Sequence, residues 1–192
     1  MIVTPACAAD LLAKGGVVAY PTETVYGLGA DPRSARGLEA LLALKGRDPE
    51  RGLSVLLPDA DALERCVADL PARAAALARR YWPGPLTVVV PHPDPALAAV
   101  ASERGVGFRC SPQPTAAALA VRGLLVSTSC NRSGEPACRD AFEVERAFGP
   151  DLAIAGGEPA GGQPPSTVVA IAADGRLEVL RQGGLEILEE SE

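Results

Sequence analysis

The sequence has 192 residues, of which 47% are hydrophobic and 22% are charged, a composition typical of a folded globular chain rather than a disordered one. Its formal net charge is −6 and its pI is about 4.9, which disfavours a protein that coats nucleic acid generally, because such proteins are basic. The length allows one domain with a sizeable core or at most two small ones, and we expect a single domain over 1–192. The longest apolar runs are too short to span a membrane.

In chain order, strand-like apolar runs alternate with helix-like segments. The predicted strands are Val17–Tyr20, Leu53–Leu57, Leu86–Val90, Val106–Arg109, Leu124–Ser127, Leu152–Ala155, Val168–Ile171 and Leu177–Leu180. The predicted helices lie near Ala6–Lys14, Ala35–Leu44, Ala60–Asp69, Ala72–Tyr81, Thr115–Val121 and Ala141–Phe148. This alternation predicts an α/β domain with a mixed sheet. Asp174-Gly175 lies between the last two strands and predicts an antiparallel hairpin.

The first polar motif is PTETVYGLG, at Pro21 to Gly29, directly after a predicted buried strand. Hydroxyls and glycines at the end of a strand present side-chain and backbone hydrogen-bonding groups where α/β proteins usually bind ligands. An ordinary glycine-containing turn is the alternative interpretation of this segment.

A lysine ends the leucine stripe of the predicted helix Ala35–Leu44. Lys45 extends the apolar face of that helix, and Arg47 and Arg51 follow it closely. The three cations predict a cluster suited to phosphate or carboxylate groups. The alternative is a lysine that balances the helix dipole and extends to water.

Later strands also end or begin in polar residues. The densest stretch is Ser127 to Gly134, STSCNRSG, whose hydroxyls and amide suit a polyanion or an amino-acid headgroup. Similar but shorter patterns lie at Val106–Arg109, at Ser166-Thr167 and at Leu180–Gly184. A polar turn that caps the next helix is the alternative interpretation of the Ser127 to Gly134 stretch.

The residues that metal sites and catalytic triads use are sparse. The sequence has one histidine, His92, which is flanked by prolines and is expected to be an exposed turn residue. The five cysteines form no CxxC pair, and their odd number without a recognisable signal peptide predicts reduced thiols in a cytoplasmic protein. No protein-held metal is predicted, and neither a P-loop nor a GxGxxG motif is present. Any ATP site therefore needs a different architecture, with Mg²⁺ carried on the phosphates.

Taken in order, the motifs resemble those of the YrdC/TsaC family of threonylcarbamoyl-AMP synthases. The matching stretches span about Gly16 to Gly184 and are PTETVYGLG, LKGR, WPGPLTVVV, VGFR, STSCNRSG, PSTVV and LRQGG. The chain departs from the family after Arg109, where Cys110-Ser111-Pro112 replaces the usual Arg-x-Pro-x-His pattern, and it is similar to the short, single-domain form.

The resemblance implies a twisted mixed sheet curled around a deep cationic cavity and flanked by helices. It also implies a nucleotidyltransferase that joins L-threonine, bicarbonate or CO₂, and ATP into threonylcarbamoyl-adenylate with release of pyrophosphate. The product would serve threonylcarbamoyladenosine modification of tRNA through separate transfer proteins, with at most weak contact between this chain and RNA.

The resemblance also assigns residues. The catalytic set that would bind phosphates and the reacting carbamate is Lys45, Arg47, Ser129 and Asn131. Thr24 would contact threonine, and Arg109 would pair with its carboxylate. Residues lying against the substrate or adenylate would be Ser127 and Ser166, and ATP would be approached by Arg47, Arg51, Ser129 and Arg181.

Two other functions stay open at this point. One is a carbamoyl-adenylate or carbamoyl-transfer domain like that of hydrogenase-maturation proteins, which would act without threonine. The other is a non-catalytic factor that binds double-stranded RNA in the cleft, which the acidic charge and the lack of an aromatic and basic stripe disfavour. The Gly/Pro-rich stretch Gly156 to Pro165 is expected to be a mobile loop between strands.

Overall fold

The computed structural model describes residues 1–46, 53–91 and 93–187. The strands are β1 Ile2–Val3, β2 Val18–Tyr20, β3 Gly27–Ala30, β4 Ser54–Leu56, β5 Leu86–Val90, β6 Val106–Arg109, β7 Leu125–Ser129, β8 Ala153–Ala155, β9 Thr167–Ile171 and β10 Leu177–Arg181. The helices are α1 Pro5–Ala13, α2 Ala35–Lys45, α3 Asp61–Cys66, α4 Ala72–Tyr81, α5 Pro114–Val121 and α6 Ala141–Phe148, with a 3₁₀ helix over Pro95–Val100.

The described strands form one ten-stranded sheet in the order β1-β8-β2-β3-β7-β4-β6-β5-β9-β10. The sheet is mixed, because β1/β8, β2/β8, β4/β6 and β5/β9 pair in parallel and the other neighbours are antiparallel. The predicted α/β class is confirmed, and so is the terminal hairpin, in which β9 and β10 pair antiparallel. The single domain over 1–192 stays a prediction.

Alternating side chains divide the core between the two faces of the sheet. One face packs against α2, α3, α4 and α6, and this larger cluster includes Val55, Val88 and Phe108. The other face packs against α1 and α5 over β8, β2 and parts of β7 and β4, where Tyr20, Leu125 and Leu56 are buried. Because the cluster on this second face stops short of β5 and β9, the same face remains open there and forms the wall of a cavity.

The structure corrects the secondary structure predicted for two polar motifs. The GLG of PTETVYGLG belongs to a strand, β3, which pairs with β2 and β7. A side chain at Gly27 would place its Cβ 2.8 Å from the ring carbon Cζ of Tyr20, so glycine lets the two strands pass the buried ring. Likewise β7 continues to Ser129, two residues beyond the predicted end at Ser127, so that the hydroxyl of Thr128 lies within a strand rather than after it. Strand pairing across the sheet outweighs the weak strand propensity of glycine and serine here.

None of the helices in 1–46, 53–91 and 93–187 combines the length and the hydropathy that a membrane-crossing helix needs.

Candidate active site

An open hollow of about 470 Å³ lies on the face of the sheet that the helices leave uncovered. Strands β4 to β7, β9 and β10 contribute to its wall, together with the loop after β2. Among the described residues that line it are three arginines and one glutamate, which are Arg104, Arg109, Arg181 and Glu135. The lining is therefore cationic although the chain is acidic, and this confirms the predicted cationic cavity.

Lys45 lies beside this cavity at the end of α2. The lysine is only 3% exposed, and its Nζ donates to the Ser129 carbonyl at 2.5 Å and to Asn131 Oδ1 at 2.8 Å. The Ser129 hydroxyl donates to the same Oδ1 at 2.6 Å. The amide of Ser133 donates to the Lys45 carbonyl at 2.8 Å, so the loop after β7 is docked on the end of α2. A buried ammonium needs such acceptors, and the arrangement holds one cation and one hydroxyl side by side at the cavity.

A second cluster is formed by Arg109 at the end of β6 and the loop after β2. Arg109 Nη2 donates to Thr24 Oγ1 at 3.0 Å and to Glu23 Oε1 at 2.6 Å. The other carboxylate oxygen, Glu23 Oε2, accepts from the Ser111 hydroxyl at 2.5 Å. Arg109 Nε is buried and finds no partner in the described part of the chain. Arg109 nevertheless lines the cavity, where its positive charge is suited to an anionic ligand.

The third cluster lies where β9 and β10 meet. Arg181 donates from Nε and Nη2 to the Ser166 carbonyl at 3.1 and 2.9 Å, and Nη2 also donates to the Ser166 hydroxyl at 3.1 Å. Ser166 Oγ is 2.9 Å from Thr87 Oγ1 on β5. These contacts fix the direction of the Ser166 hydroxyl at the cavity wall.

Ser127 is oriented from behind by a buried phenol. Tyr20 is fully buried, and its hydroxyl donates to Ser127 Oγ at 2.7 Å. Burial raises the pKa of Tyr20 well above its ordinary value, so the phenol stays protonated and remains the donor. Since its oxygen already accepts from Tyr20, the Ser127 hydroxyl can direct its own proton toward a ligand in the cavity.

The positive charge of Arg109 affects the pKa of Arg181 across the cavity. The pKa of Arg181 is lowered first by burial of its guanidinium and then by the positive charge of Arg109. Like charges held near one another in a partly buried hollow favour the binding of an anion between them.

The register of the strands separates the lysine cluster from the Arg109 cluster. Ser54 on β4 pairs with both Ser127 and Gly107. Ser129 lies two residues beyond that row in one direction, and Arg109 lies two residues beyond it in the other. Four residues of strand correspond to about 13 Å, so the cavity offers two anion-binding ends rather than one.

The structure brings eight of the residues that the motifs proposed to this one cavity, either in its lining or bonded to it: Thr24, Lys45, Arg109, Ser127, Ser129, Asn131, Ser166 and Arg181. Arg47, Arg51 and His92 lie outside the described residues, so the roles proposed for the two arginines stay predictions.

Several polar residues at the site were not proposed from the sequence. Among them, Tyr20, Glu23, Thr87 and Ser111 are all buried. Glu23 is part of the PTETVYGLG motif and could have been proposed from it. Tyr20 and Thr87 lie within apolar strands, where the sequence gives no sign of a polar role. By contrast, Trp82 of the WPGP motif is structural, because it is buried and its indole Nε1 donates to the Leu86 carbonyl at 2.8 Å.

Within the described residues, no group of three or more histidine, cysteine, aspartate or glutamate side chains is placed to hold a metal ion.

Comparisons of this chain with known proteins agree on one family. A family model described as telomere recombination (Sua5/YciO/YrdC) matches residues 10–183. Threonylcarbamoyl-AMP synthase of Halorhodospira halophila is 46% identical over 145 residues, covering 74% of this chain and 76% of that protein. The protein of the same name from Chromohalobacter salexigens is 41% identical over 160 residues, covering 82% and 86%.

Among solved structures, that of P. abyssi Sua5 complexed with L-threonine superposes with a TM-score of 0.83 at 29% identity. The match covers 96% of this chain but 58% of the P. abyssi chain, so the longer protein has a further part that is not matched. With the family model extending over most of the sequence and close relatives over most of their own length, the chain belongs to the Sua5/YciO/YrdC family.

Proposed function

We propose that this chain is a threonylcarbamoyl-AMP synthase, a nucleotidyltransferase that joins L-threonine, bicarbonate and MgATP and releases pyrophosphate. The relatives of that name support the assignment. The observation that carries it is the single cavity in which a lysine, two arginines and several hydroxyls converge at two separated ends.

The geometry suggests how the substrates are placed. Arg109 and Thr24 bind the threonine carboxylate and headgroup, and Lys45 with Ser129 binds phosphate oxygens of ATP. Ser127 and Ser166 lie between these ends and hydrogen-bond the carbamate or the adenylate. Mg²⁺ belongs to the nucleotide substrate, since its phosphates supply ligands of the kind that this ion prefers.

The reaction requires positioning more than a protein nucleophile. The threonine amine adds to CO₂ derived from bicarbonate and loses a proton to give a carbamate. A carbamate oxygen then attacks the α-phosphorus of ATP, and the bond to the β-phosphate oxygen breaks as pyrophosphate leaves. Every species is anionic, so cations and hydroxyl donors that hold the groups together stabilise the transition state.

The proposal is tested by incubating the protein with MgATP, bicarbonate and L-threonine, with mass detection of the adenylate and assay of pyrophosphate. We expect pyrophosphate release that depends on threonine. Release that is unchanged without threonine would support the carbamoyl-transfer alternative instead. No ATP turnover together with a tight, salt-sensitive complex with double-stranded RNA would support the RNA-binding alternative.

The same assay tests substrate choice. Serine differs from threonine by one methyl group, which is worth about 10- to 200-fold in a close-fitting apolar pocket. We therefore expect kcat/KM for serine to be lower by such a factor, and equal values for the two amino acids would show that no such pocket exists. Transfer of the product to separate tRNA-modifying proteins, weak contact with RNA and a cytoplasmic location remain predictions.

A further inference from the structure

Glu23 is a buried carboxylate that the proposed reaction does not use directly. It is 7% exposed, although it lies in the loop between β2 and β3. Each of its oxygens has a different partner, with Oε1 accepting from Arg109 and Oε2 from Ser111. A buried charge is tolerated only when it is paired in this way.

The pair constrains Arg109 in a specific manner. The two hydrogen bonds that its guanidinium makes to described residues both use Nη2, one to Glu23 and one to Thr24. Nε remains without a partner, and the residue lines the cavity. A guanidinium is planar, so fixing Nη2 between a carboxylate and a hydroxyl sets the direction in which its remaining donors point.

The loop that carries Glu23 must reach far to make this contact. Strand β2 is four strands away from β6 in the sheet order, which corresponds to about 19 Å on a flat sheet. The backbone of this loop is held in turn by residues of the 156–165 segment, since Gly161 N donates to the Thr22 carbonyl at 2.9 Å. Glu23 is thus presented to Arg109 from a supported loop that crosses the face of the sheet.

We propose that Glu23, assisted by Ser111, is a positioning residue that holds the Arg109 guanidinium in the orientation that binds the carboxylate of the amino-acid substrate. This inference rests on the proposed function, in which Arg109 receives that carboxylate. Glu23 also supplies a negative charge beside Arg109, whose positive charge lowers the pKa of Arg181. It therefore offsets part of the repulsion between the two arginines.

Glu23→Ala and Glu23→Gln test the proposal, with KM measured separately for threonine and for MgATP. A hydrogen bond to a charged group is worth enough that Glu23→Ala should raise the threonine KM about 10- to 100-fold. The MgATP KM should stay within about twofold, because the lysine cluster lies at the other end of the cavity. Glu23→Gln keeps an acceptor for Arg109 and should restore most of the threonine affinity.

If Glu23 only stabilised the fold, the substitutions would give a different result. Loss of folded protein lowers the apparent kcat and the melting temperature but leaves both KM values unchanged, which would overturn the proposal. Should Glu23→Ala fail to fold, Ser111→Ala removes one of the two partners and should raise the threonine KM about two- to tenfold. Glu64→Gln is the matched control, because it breaks an Arg–Glu pair with Arg79 that is remote from the cavity lining.

The background Arg109→Met shows whether Glu23 acts through the arginine. In that background Glu23→Ala should cause no further rise in the threonine KM, whereas an equal rise in both backgrounds would contradict the proposal. The wild-type chain separates this outcome from failure of the proposed function. If wild-type pyrophosphate release does not depend on threonine, the function is wrong, and if it does depend on threonine but the KM values do not separate, the positioning role is wrong.

Discussion

Lys45 shows how the surroundings of a residue decide its role. It is one of two lysines in the sequence, and both lie at the ends of helices. Lys14 is exposed, whereas Lys45 is buried and donates to Ser129 and Asn131 from the loop after β7. The interpretation of Lys45 as a water-exposed lysine that only balances the helix dipole is therefore wrong.

We expect Lys45→Ala to lower threonine-dependent pyrophosphate release by at least about a hundredfold. Loss of one well-placed donor costs about 2.7–4 kcal/mol of transition-state stabilisation at sites of this kind. Lys14→Ala is the control and should leave kcat and KM unchanged, because Lys14 does not line the cavity. Turnover by Lys45→Ala close to that of wild type would remove the lysine from the catalytic set.

At the scale of secondary-structure elements, glycines allow two segments of the chain to approach closely. Gly183, in the LRQGG motif after β10, packs against the backbone that carries Ser166 at the start of β9. A Cβ at Gly183 would overlap the Pro165 carbonyl oxygen and come within 2.5 Å of Ser166 C. The motif thus has a steric purpose, since it lets Arg181 reach the Ser166 carbonyl from the neighbouring strand.

Gly183→Ala should therefore displace Ser166 and destabilise the fold. Overpacking of this kind lowers the free energy of unfolding by about 1–3 kcal/mol, which denaturant titration measures. Gly184→Ala is the neighbouring control, because its Cβ would meet only the Pro164 ring, at 3.3 Å. Equal losses of stability in the two variants would contradict the steric explanation.

The whole molecule combines an acidic net charge of −6 with a cationic cavity. The cavity exists because α1 and α5 cover only part of one face of the sheet, and the uncovered strands carry serine, threonine and glycine on that face.

The cysteines of the molecule differ in their exposure to solvent. All five are free thiols, and Cys7 is exposed whereas the other four are buried.

We expect one fast-reacting thiol in the native protein at pH 8 with a chromogenic disulfide reagent, and five after denaturation. The thiolate is the reactive form, and burial raises the pKa of Cys110 to about 11, which keeps that thiol protonated at pH 8. Cys7→Ser should remove the fast phase. Two or more fast thiols in the native wild type would show that the core around the buried cysteines is more open than described.

Local pattern was enough to predict the alternation of strands and helices, the terminal hairpin and the α2 helix that ends near Lys45, because these depend on neighbours within a few residues. The order of the polar motifs was likewise sufficient to predict the family, and eight of the residues that the motifs named line or contact one cavity. The contacts that position those residues could not be predicted from local pattern or from the order of the motifs. Lys45 meets Asn131 across 86 residues, and Arg109 meets Glu23 across 86 residues.

Those meetings depend on strand order and register, in which β7 lies between β3 and β4 and a loop crosses to β6. Hydrophobic periodicity shows which face of a strand is buried but does not specify its partner. Tyr20 and Glu23 therefore looked like a core residue and a loop residue in the sequence. Only their burial against Ser127 and Arg109 makes one the support of a hydroxyl and the other the counter-charge of a guanidinium.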